Sequence, residues 1–209
     1  MTIPTRVTLS GRYVDVVPLT PDHAQDLWDG SRDPALWDYL FDGPYEHFSD
    51  FAASIAKKSQ GNDPLFFAIL DKASGKALGC ASYMRIEPAH RCIEVGGILY
   101  STALQRTVAA TEAMYLMARH VFEGLGYRRY EWKCNALNAP SRRAALRLGF
   151  TYEGLFRQHM IVKGENRDTT WFAMLDTEWP DRKAAFERWL APENFDAGGK
   201  QIRSLTDFR

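Results

Sequence analysis

Three side chains that could accept a proton lie in or beside predicted strands of this chain. Glu94 and Glu131 fall in two strands that the sequence predicts in succession, and His159 falls in a later predicted hairpin. A positioned carboxylate or imidazole can act as a general base, and histidine is the side chain that ordinarily titrates closest to neutral pH. Because these residue types also form ordinary solvated or ion-paired surfaces, each is a candidate for proton transfer rather than an assignment.

A second group of features concerns the backbone. Gly96 and Gly97 are adjacent inside a predicted strand, a pattern typical of a bulge that frees backbone groups from strand pairing. The polar first turn of a predicted helix, Gln105 to Ala110, presents N–H groups that have no partner inside the helix. Together with the helix dipole, those groups suit a pyrophosphate.

The next helix opens with Asn138-Ala-Pro-Ser141. Asparagine is a preferred N-cap, and a polar residue three positions further on is common in such caps. The capping role and a functional role for these two residues are compatible.

Cysteine and histidine spacing excludes other chemistry. Cys80, Cys92 and Cys134 are scattered without a C-x-x-C pair, which argues against a disulfide framework or a zinc site and fits a reducing compartment. No apolar run approaches the roughly 20 residues of a membrane span, and the first residues lack the apolar stretch of a secretory signal. We expect a cytoplasmic protein that needs no metal.

The elements that must position these residues follow from periodicity. Strands are predicted over 13–19, 65–70, 77–86, 92–100 and 128–134, and a closing hairpin over 151–175. Helices are predicted over 20–30, 46–60, 104–123, 138–148 and 178–190, with a short helix from 33. This order, in which helices precede a meander and strands and helices then alternate, predicts a mixed α/β fold.

Composition and length limit the class of protein and the number of domains. With 26 basic and 26 acidic residues the formal net charge is zero, which argues against a nucleic-acid-coating protein. A chain of 209 residues with 45% apolar residues is most simply one domain, here residues 1–190, followed by a polar tail, 191–209, that we expect to be mobile or to dock on a partner.

The block from Glu94 to Phe150 resembles the GNAT superfamily of acyl-CoA-dependent N-acetyltransferases, and in particular the Rim-type branch that acetylates ribosomal-protein N-termini. The segments that carry the resemblance are Gln105–Ala113, Asn138–Ser141, Leu148–Gly154 and the late Asn166-Arg-Asp-Thr-Thr-Trp-Phe. The resemblance implies a single domain whose mixed, mostly antiparallel sheet is flanked by helices and splays between the strands at 92–100 and 128–134, with acetyl-CoA in the opening.

The resemblance also implies residue roles. Ser141 would protonate or steady the departing thiolate, and Glu131 or Glu94 would act as base, unless an ordered water removes the proton. The residues that would bind acetyl-CoA are Gly97, Ile98, Leu99, Gln105, Arg106, Thr107, Val108, Ala109, Ala110, Asn138, Ser141 and Arg143. The sequence departs from the family at Arg106 and Val108, where glycine is usual and allows close approach of phosphate.

We therefore expect acetyl transfer from acetyl-CoA to a primary amine, either a protein N-terminus or a small molecule, by direct attack in a ternary complex. The alternative is a catalytically inactive CoA-binding sensor or scaffold with the same fold, which the missing glycines would explain. The partners expected are acetyl-CoA and an amine acceptor, without nucleic acid or membrane, and the polar tail and the last helix would suit a homodimer contact.

Overall fold

A computed structural model describes residues 2–209 as one eight-stranded sheet with helices on both faces. The strands are β1 (Leu9–Ser10), β2 (Val14–Pro18), β3 (Leu65–Asp71), β4 (Ala77–Glu87), β5 (Cys92–Tyr100), β6 (Arg129–Asn135), β7 (Thr151–Val162) and β8 (Glu165–Leu175). The helices are α1 (Ala24–Gly30), α2 (Phe48–Gln60), α3 (Val108–Arg119), α4 (Ala139–Leu148) and α5 (Trp179–Leu190). The mixed α/β fold with a mostly antiparallel sheet is thereby confirmed.

The sheet order is β1-β2-β3-β4-β5-β6-β8-β7, and β5 with β6 is its parallel pair. Alternation along the strands sends side chains to two separate cores. Phe67, Ile93 and Trp132 face α3, α4 and α5, whereas the neighbour Ala68 faces α1 and α2. Each large core side chain contributes about 1.5–3 kcal/mol by leaving water, so both helical layers are held to the sheet by apolar contacts.

The start of α3 differs from the sequence prediction. The helix was predicted from Leu104 but begins at Val108, and residues 102–106 form turns instead. Leu104 is fully buried and so matches the helical apolar period, although it lies in a turn. Thr107 is the N-cap, and its side chain accepts from the Ala110 N–H. At the other end the helix widens, because His120–Gly124 form a π-helical turn with i→i+5 hydrogen bonds.

The C-terminal tail folds back on the domain rather than remaining mobile. Leu205 is 1% exposed, in a short 3₁₀ helix, Leu205–Phe208, that packs on α5. The buried Asn194 holds the return of the chain, since its side chain donates to Trp189 O and accepts from Arg203 N at 3.0 Å. Arg209 donates to the carbonyls of Leu146 and Arg147 at the end of α4, where a cation complements the helix dipole.

Candidate active site

The sheet opens between β5 and β6. The two strands pair in parallel only from Cys92–Arg129 to Val95–Trp132, and the rest of β5, from Gly96 to Tyr100, has no pairing with β6. We call this opening the fork. The cause lies on the β4 side, where the β4–β5 register shifts between Cys80 and Ser82, which is a bulge on β5.

Gly97 is the residue that makes the bulge feasible. Its φ is +58°, a backbone region that favours glycine. A Cβ built at this position would lie 2.9 Å from the ring of Phe66, closer than side chains tolerate. The Ser82 hydroxyl supports the bulge by donating to Gly96 O at 3.0 Å. Both the conformation and the space therefore require glycine at 97.

The turn before α3 presents free backbone donors beside the fork. Thr107 Oγ1 accepts from Ala110 N at 3.1 Å, and within residues 2–209 the N–H groups of Val108 and Ala109 have no acceptor. Gln105 reaches back instead, since its side-chain amide donates to Tyr100 O at 3.1 Å. Free N–H groups at a helix start form a ready anion site.

Arg106 occupies the loop in a conformation that glycine usually supplies. Its φ is +63°, and its side chain is exposed. An L-residue in this region costs roughly 1–2 kcal/mol, so the loop keeps its shape at some strain. Val108 is the first residue of α3 and has ordinary helical geometry. The missing glycines thus leave the backbone path of the loop intact.

The start of α4 brings Asn138 and Ser141 to the other side of the fork. Asn138 is the predicted N-cap, and its Oδ1 accepts from Ser141 N at 3.0 Å. The Ser141 hydroxyl oxygen accepts from Trp132 Nε1 at 3.0 Å. Because that bond uses a lone pair of the oxygen, the hydroxyl proton remains free to be donated. Arg143 lies further along α4 with an exposed side chain.

The two candidate carboxylates, Glu94 and Glu131, are directly opposite each other in the β5–β6 register. They point to the face of the sheet opposite Trp132, because side chains alternate along a strand. Ser141, which contacts Trp132, therefore lies on one face of the fork and the two glutamates lie on the other.

Lys133 sits between these carboxylates. Its ammonium is 2.9 Å from Glu94 Oε2 and 2.7 Å from Glu131 Oε2, with 5% of its side chain exposed. It also lies 3.8 Å from the ring centroid of Trp171, a cation–π contact. Glu131 and Lys133 alternate along β6 with Tyr130 and Trp132, a pattern typical of an exposed polar strand face, but the structure buries both side chains.

Two arginines extend the ion pairs. Arg85 donates to Glu94 Oε2 at 2.8 Å, and Arg129 donates to Glu131 Oε1 at 2.6 Å and also pairs with Glu153. Burial by itself raises the pKa of the Glu131 carboxyl, but hydrogen bonds from Lys133 and Arg129 outweigh burial and lower that pKa below its ordinary value. Glu131 is thus ionised and a weak proton acceptor.

His159, the remaining proton-transfer candidate, lies on β7 at the edge of this network, with its ring centroid 6.1 Å from that of Trp171. Its side chain is exposed, and Nδ1 is 3.0 Å from Thr169 Oγ1. Lys133, Arg85 and Trp171 were missed as site residues. The one sequence signal for them was the alternation that sets Glu131 and Lys133 on the same strand face. In residues 2–209 no group of three or more metal-ligating side chains comes together, and no helix has the length and apolarity to cross a membrane.

Comparison with known proteins agrees with this geometry. The Acetyltransferase (GNAT) domain family matches residues 14–151, most of the chain. The chain therefore belongs to the GNAT acetyltransferases.

Among solved structures, a GCN5-related N-acetyltransferase from Brucella melitensis superposes with a TM-score of 0.97 at 48% identity, covering 99% of this chain and 96% of that one. The ribosomal-protein-serine acetyltransferase of Escherichia coli (strain K12) is 29% identical over 98 residues, which are 47% of this chain and 54% of that relative. The match thus spans about half the length of that relative. RimL, a ribosomal L7/L12 alpha-N-protein acetyltransferase in complex with coenzyme A, shares the fold, with a TM-score of 0.69, 19% identity, and 81% and 98% coverage.

Proposed function

We propose that this GNAT acetyltransferase moves the acetyl group of acetyl-CoA to a primary amine, from a small molecule or a protein N-terminus, by direct attack in a ternary complex. The observation that carries the proposal is the division of the fork. A hydroxyl with a free proton stands on one face, and a set of ionised side chains stands on the other. Leaving thiol and attacking amine need these two different environments on opposite sides of one carbonyl.

The residues around the fork fit acetyl-CoA. The free N–H groups of Val108 and Ala109, with the exposed Arg106, suit the pyrophosphate. The unpaired stretch of β5, Gly97 to Leu99, suits the pantetheine arm, which can pair with it as an added strand. The Asn138 amide nitrogen makes no hydrogen bond inside residues 2–209 and would also bind that arm, and Arg143 would reach a phosphate.

The thioester of acetyl-CoA supplies an activated acyl group. A backbone N–H of Gly97 to Leu99 would polarise its carbonyl oxygen, and such a donor typically contributes about 3–4 kcal/mol of transition-state stabilisation. Ser141 keeps its proton available for donation because its oxygen already accepts from Trp132. The proton then goes to the departing sulfur.

The amine would lose its proton on the face of the fork opposite Ser141, where Glu94, Glu131 and Lys133 lie. Glu94 is 3% exposed and is paired with both Arg85 and Lys133, and Glu131 is paired with Lys133 and Arg129. For Glu131 the hydrogen bonds from Lys133 and Arg129 keep the pKa below its ordinary value, so this carboxylate is ionised. In this proposal Glu94 orders a water molecule that takes the amine proton, and Glu131 acts through Lys133 as a positioning residue.

The test is release of free thiol from acetyl-CoA across a panel of amines, with the Ser141→Ala variant. We expect thiol release with at least one amine, and a fall in kcat of about 100-fold in the variant with unchanged acetyl-CoA affinity. The exposed-loop variant Ser74→Ala is the control. Acetyl-CoA binding without thiol release for any amine would contradict the proposal and favour the sensor alternative.

A further inference from the structure

Arg167 is a buried cation without a carboxylate partner. It lies on β8 and is 6% exposed. Its Nε donates to Thr169 Oγ1 at 3.2 Å, and the guanidinium carbon lies 4.9 Å from the ring centroid of Phe41. None of the ion pairs formed by residues 2–209 includes it, and its two terminal nitrogens make no hydrogen bond there.

This arrangement is unusual because a buried charge is ordinarily paired. Removing a guanidinium from water without a counter-charge is strongly unfavourable. The neighbouring network does not supply the missing charge. Its cations Arg85, Lys133 and Arg129 are matched one for one by Glu94, Glu131 and Glu153. Arg167 therefore finds no carboxylate partner in this network.

Arg167 lies on the acceptor face of the fork, which is the face that carries Glu94 and Lys133. On β8, Trp171 pairs with Lys133, and Thr169 pairs with Asn135, the last residue of β6. Side chains two apart on a strand share a face, so Arg167 lies on the same face as Thr169 and Trp171. It lies beyond the end of β6. Burial lowers the pKa of the Arg167 guanidinium, and Cys134 and Glu94 nearby partly offset this.

The segment from Trp37 to Phe41 covers this region. The backbone oxygen of Trp37 accepts from Lys163 Nζ at 2.8 Å, and the Tyr39 hydroxyl donates to Leu137 O at 3.2 Å. These contacts join the segment to the β7–β8 turn and to the loop before α4. Phe41 is thereby held against one side of the Arg167 guanidinium. The two terminal nitrogens of Arg167 remain available to a ligand.

We infer that the amine acceptor carries a carboxylate, and that Arg167 binds it through its two terminal nitrogens. This specificity rests on the proposed function. Nε is already committed to Thr169, and the two terminal nitrogens form the parallel donor pair that a carboxylate accepts in bidentate fashion. The acceptor class is an amine with a carboxylate within reach, either a free amino acid or the N-terminus of an acidic peptide.

A direct test uses matched ligands that differ only in the carboxylate. Glutarate and its diamide are titrated into the acetyl-CoA-saturated protein and into the free protein, and the shift in melting temperature is measured. The wild type should respond to glutarate at concentrations about 10- to 100-fold lower than to the diamide, the usual size of a charged hydrogen-bond effect. Arg167→Gln should respond equally weakly to both, and Arg167→Lys should retain part of the preference.

The control is Arg157→Gln, an exposed arginine on β7 that carries the same change of charge. It should keep the wild-type preference. A purely structural role for Arg167, as an anchor for Phe41, predicts lower stability in Arg167→Gln but equal responses of the wild type to both ligands. Equal wild-type responses would therefore overturn the inference, and this comparison needs no variant.

Turnover separates the two sources of the carboxylate. For a free amino acid, kcat/KM is compared between glutamate and its diamide. For a peptide, kcat/KM is compared between an Asp-Ala and an Asn-Ala dipeptide. The pair that shows the preference for the carboxylate identifies the source. The expected change is in KM rather than in kcat, and is lost in Arg167→Gln. Failure of acetyl-CoA to bind would refute the proposed function, whereas cofactor binding and turnover without any carboxylate preference would refute only the role of Arg167.

Discussion

Replacing Lys133 by methionine removes the cation between Glu94 and Glu131 and leaves two buried carboxylates facing each other. The ammonium–oxygen distances of 2.9 and 2.7 Å put the two charges close together. At roughly 5.5 Å and an effective dielectric constant of about 20, their repulsion is about 3 kcal/mol. This agrees with the roughly 3–5 kcal/mol expected when one partner of a buried ion pair is lost.

The pH dependence follows from the sign of the pKa change. In the wild type the pKa of Glu131 is lowered, so the stability it contributes is present above the unfolded value of about 4.3 and is lost as pH falls through the folded value. In Lys133→Met, repulsion raises a carboxyl pKa above the unfolded value. The destabilisation is then full above the raised pKa and diminishes as pH falls.

Urea unfolding at pH 8 and pH 5 measures this difference. We expect Lys133→Met to lose about 3 kcal/mol at pH 8 and distinctly less at pH 5. Lys183→Met is the matched control, because its ion pair with Glu123 is solvent-accessible and is worth at most about 1 kcal/mol. An equal loss at both pH values would refute the assignment of Lys133 as the cation that offsets the repulsion between the two carboxylates.

Three further predictions concern single positions. Gly97→Ala should lower stability by about 2–3 kcal/mol, more than Gly75→Ala, which shares a positive φ but whose Cβ would meet nothing; equal losses in urea would contradict the fit against Phe66. Ser141→Ala should also lose about 1 kcal/mol, because Trp132 Nε1 loses its acceptor; an unchanged melting temperature would contradict that bond. Asn194→Ala should lower the free energy of unfolding by about 2–3 kcal/mol through three lost hydrogen bonds; no loss would contradict a docked tail.

Local signals predicted the fold well where one segment decides the outcome. Asn138 begins α4 as expected, and the predicted end at residue 148 holds because Gly149, whose φ is +100°, follows it; caps depend on adjacent residues. The predicted start of α3 was wrong because Leu104 fits the helical spacing of apolar residues, and that spacing does not distinguish a buried turn from a helix. The docking of the tail on α5 was not predicted, because the burial of Leu205 depends on a helix that is close in space but earlier in the chain.

The site was less predictable than the fold for the same reason. The alternation on β6 identified the face that carries Glu131 and Lys133, but not its burial, which depends on Arg85, Trp171 and the covering segment. In the sequence, Arg167 stood out only as part of the segment Asn166-Arg-Asp-Thr-Thr-Trp-Phe that resembles the GNAT family. That it lacks a carboxylate partner is a property of side chains from β5, β6 and β8 together.

The central claim is that the fork holds acetyl-CoA despite Arg106 and Val108. Thermal unfolding with acetyl-CoA at about 100 times Kd tests it directly. We expect a stabilisation of about 2.7 kcal/mol, or roughly 5–10 °C for a chain of this size, in the wild type and in Gly75→Ala but reduced in Gly97→Ala. No shift in the wild type at millimolar acetyl-CoA, or an undiminished shift in Gly97→Ala, would contradict it.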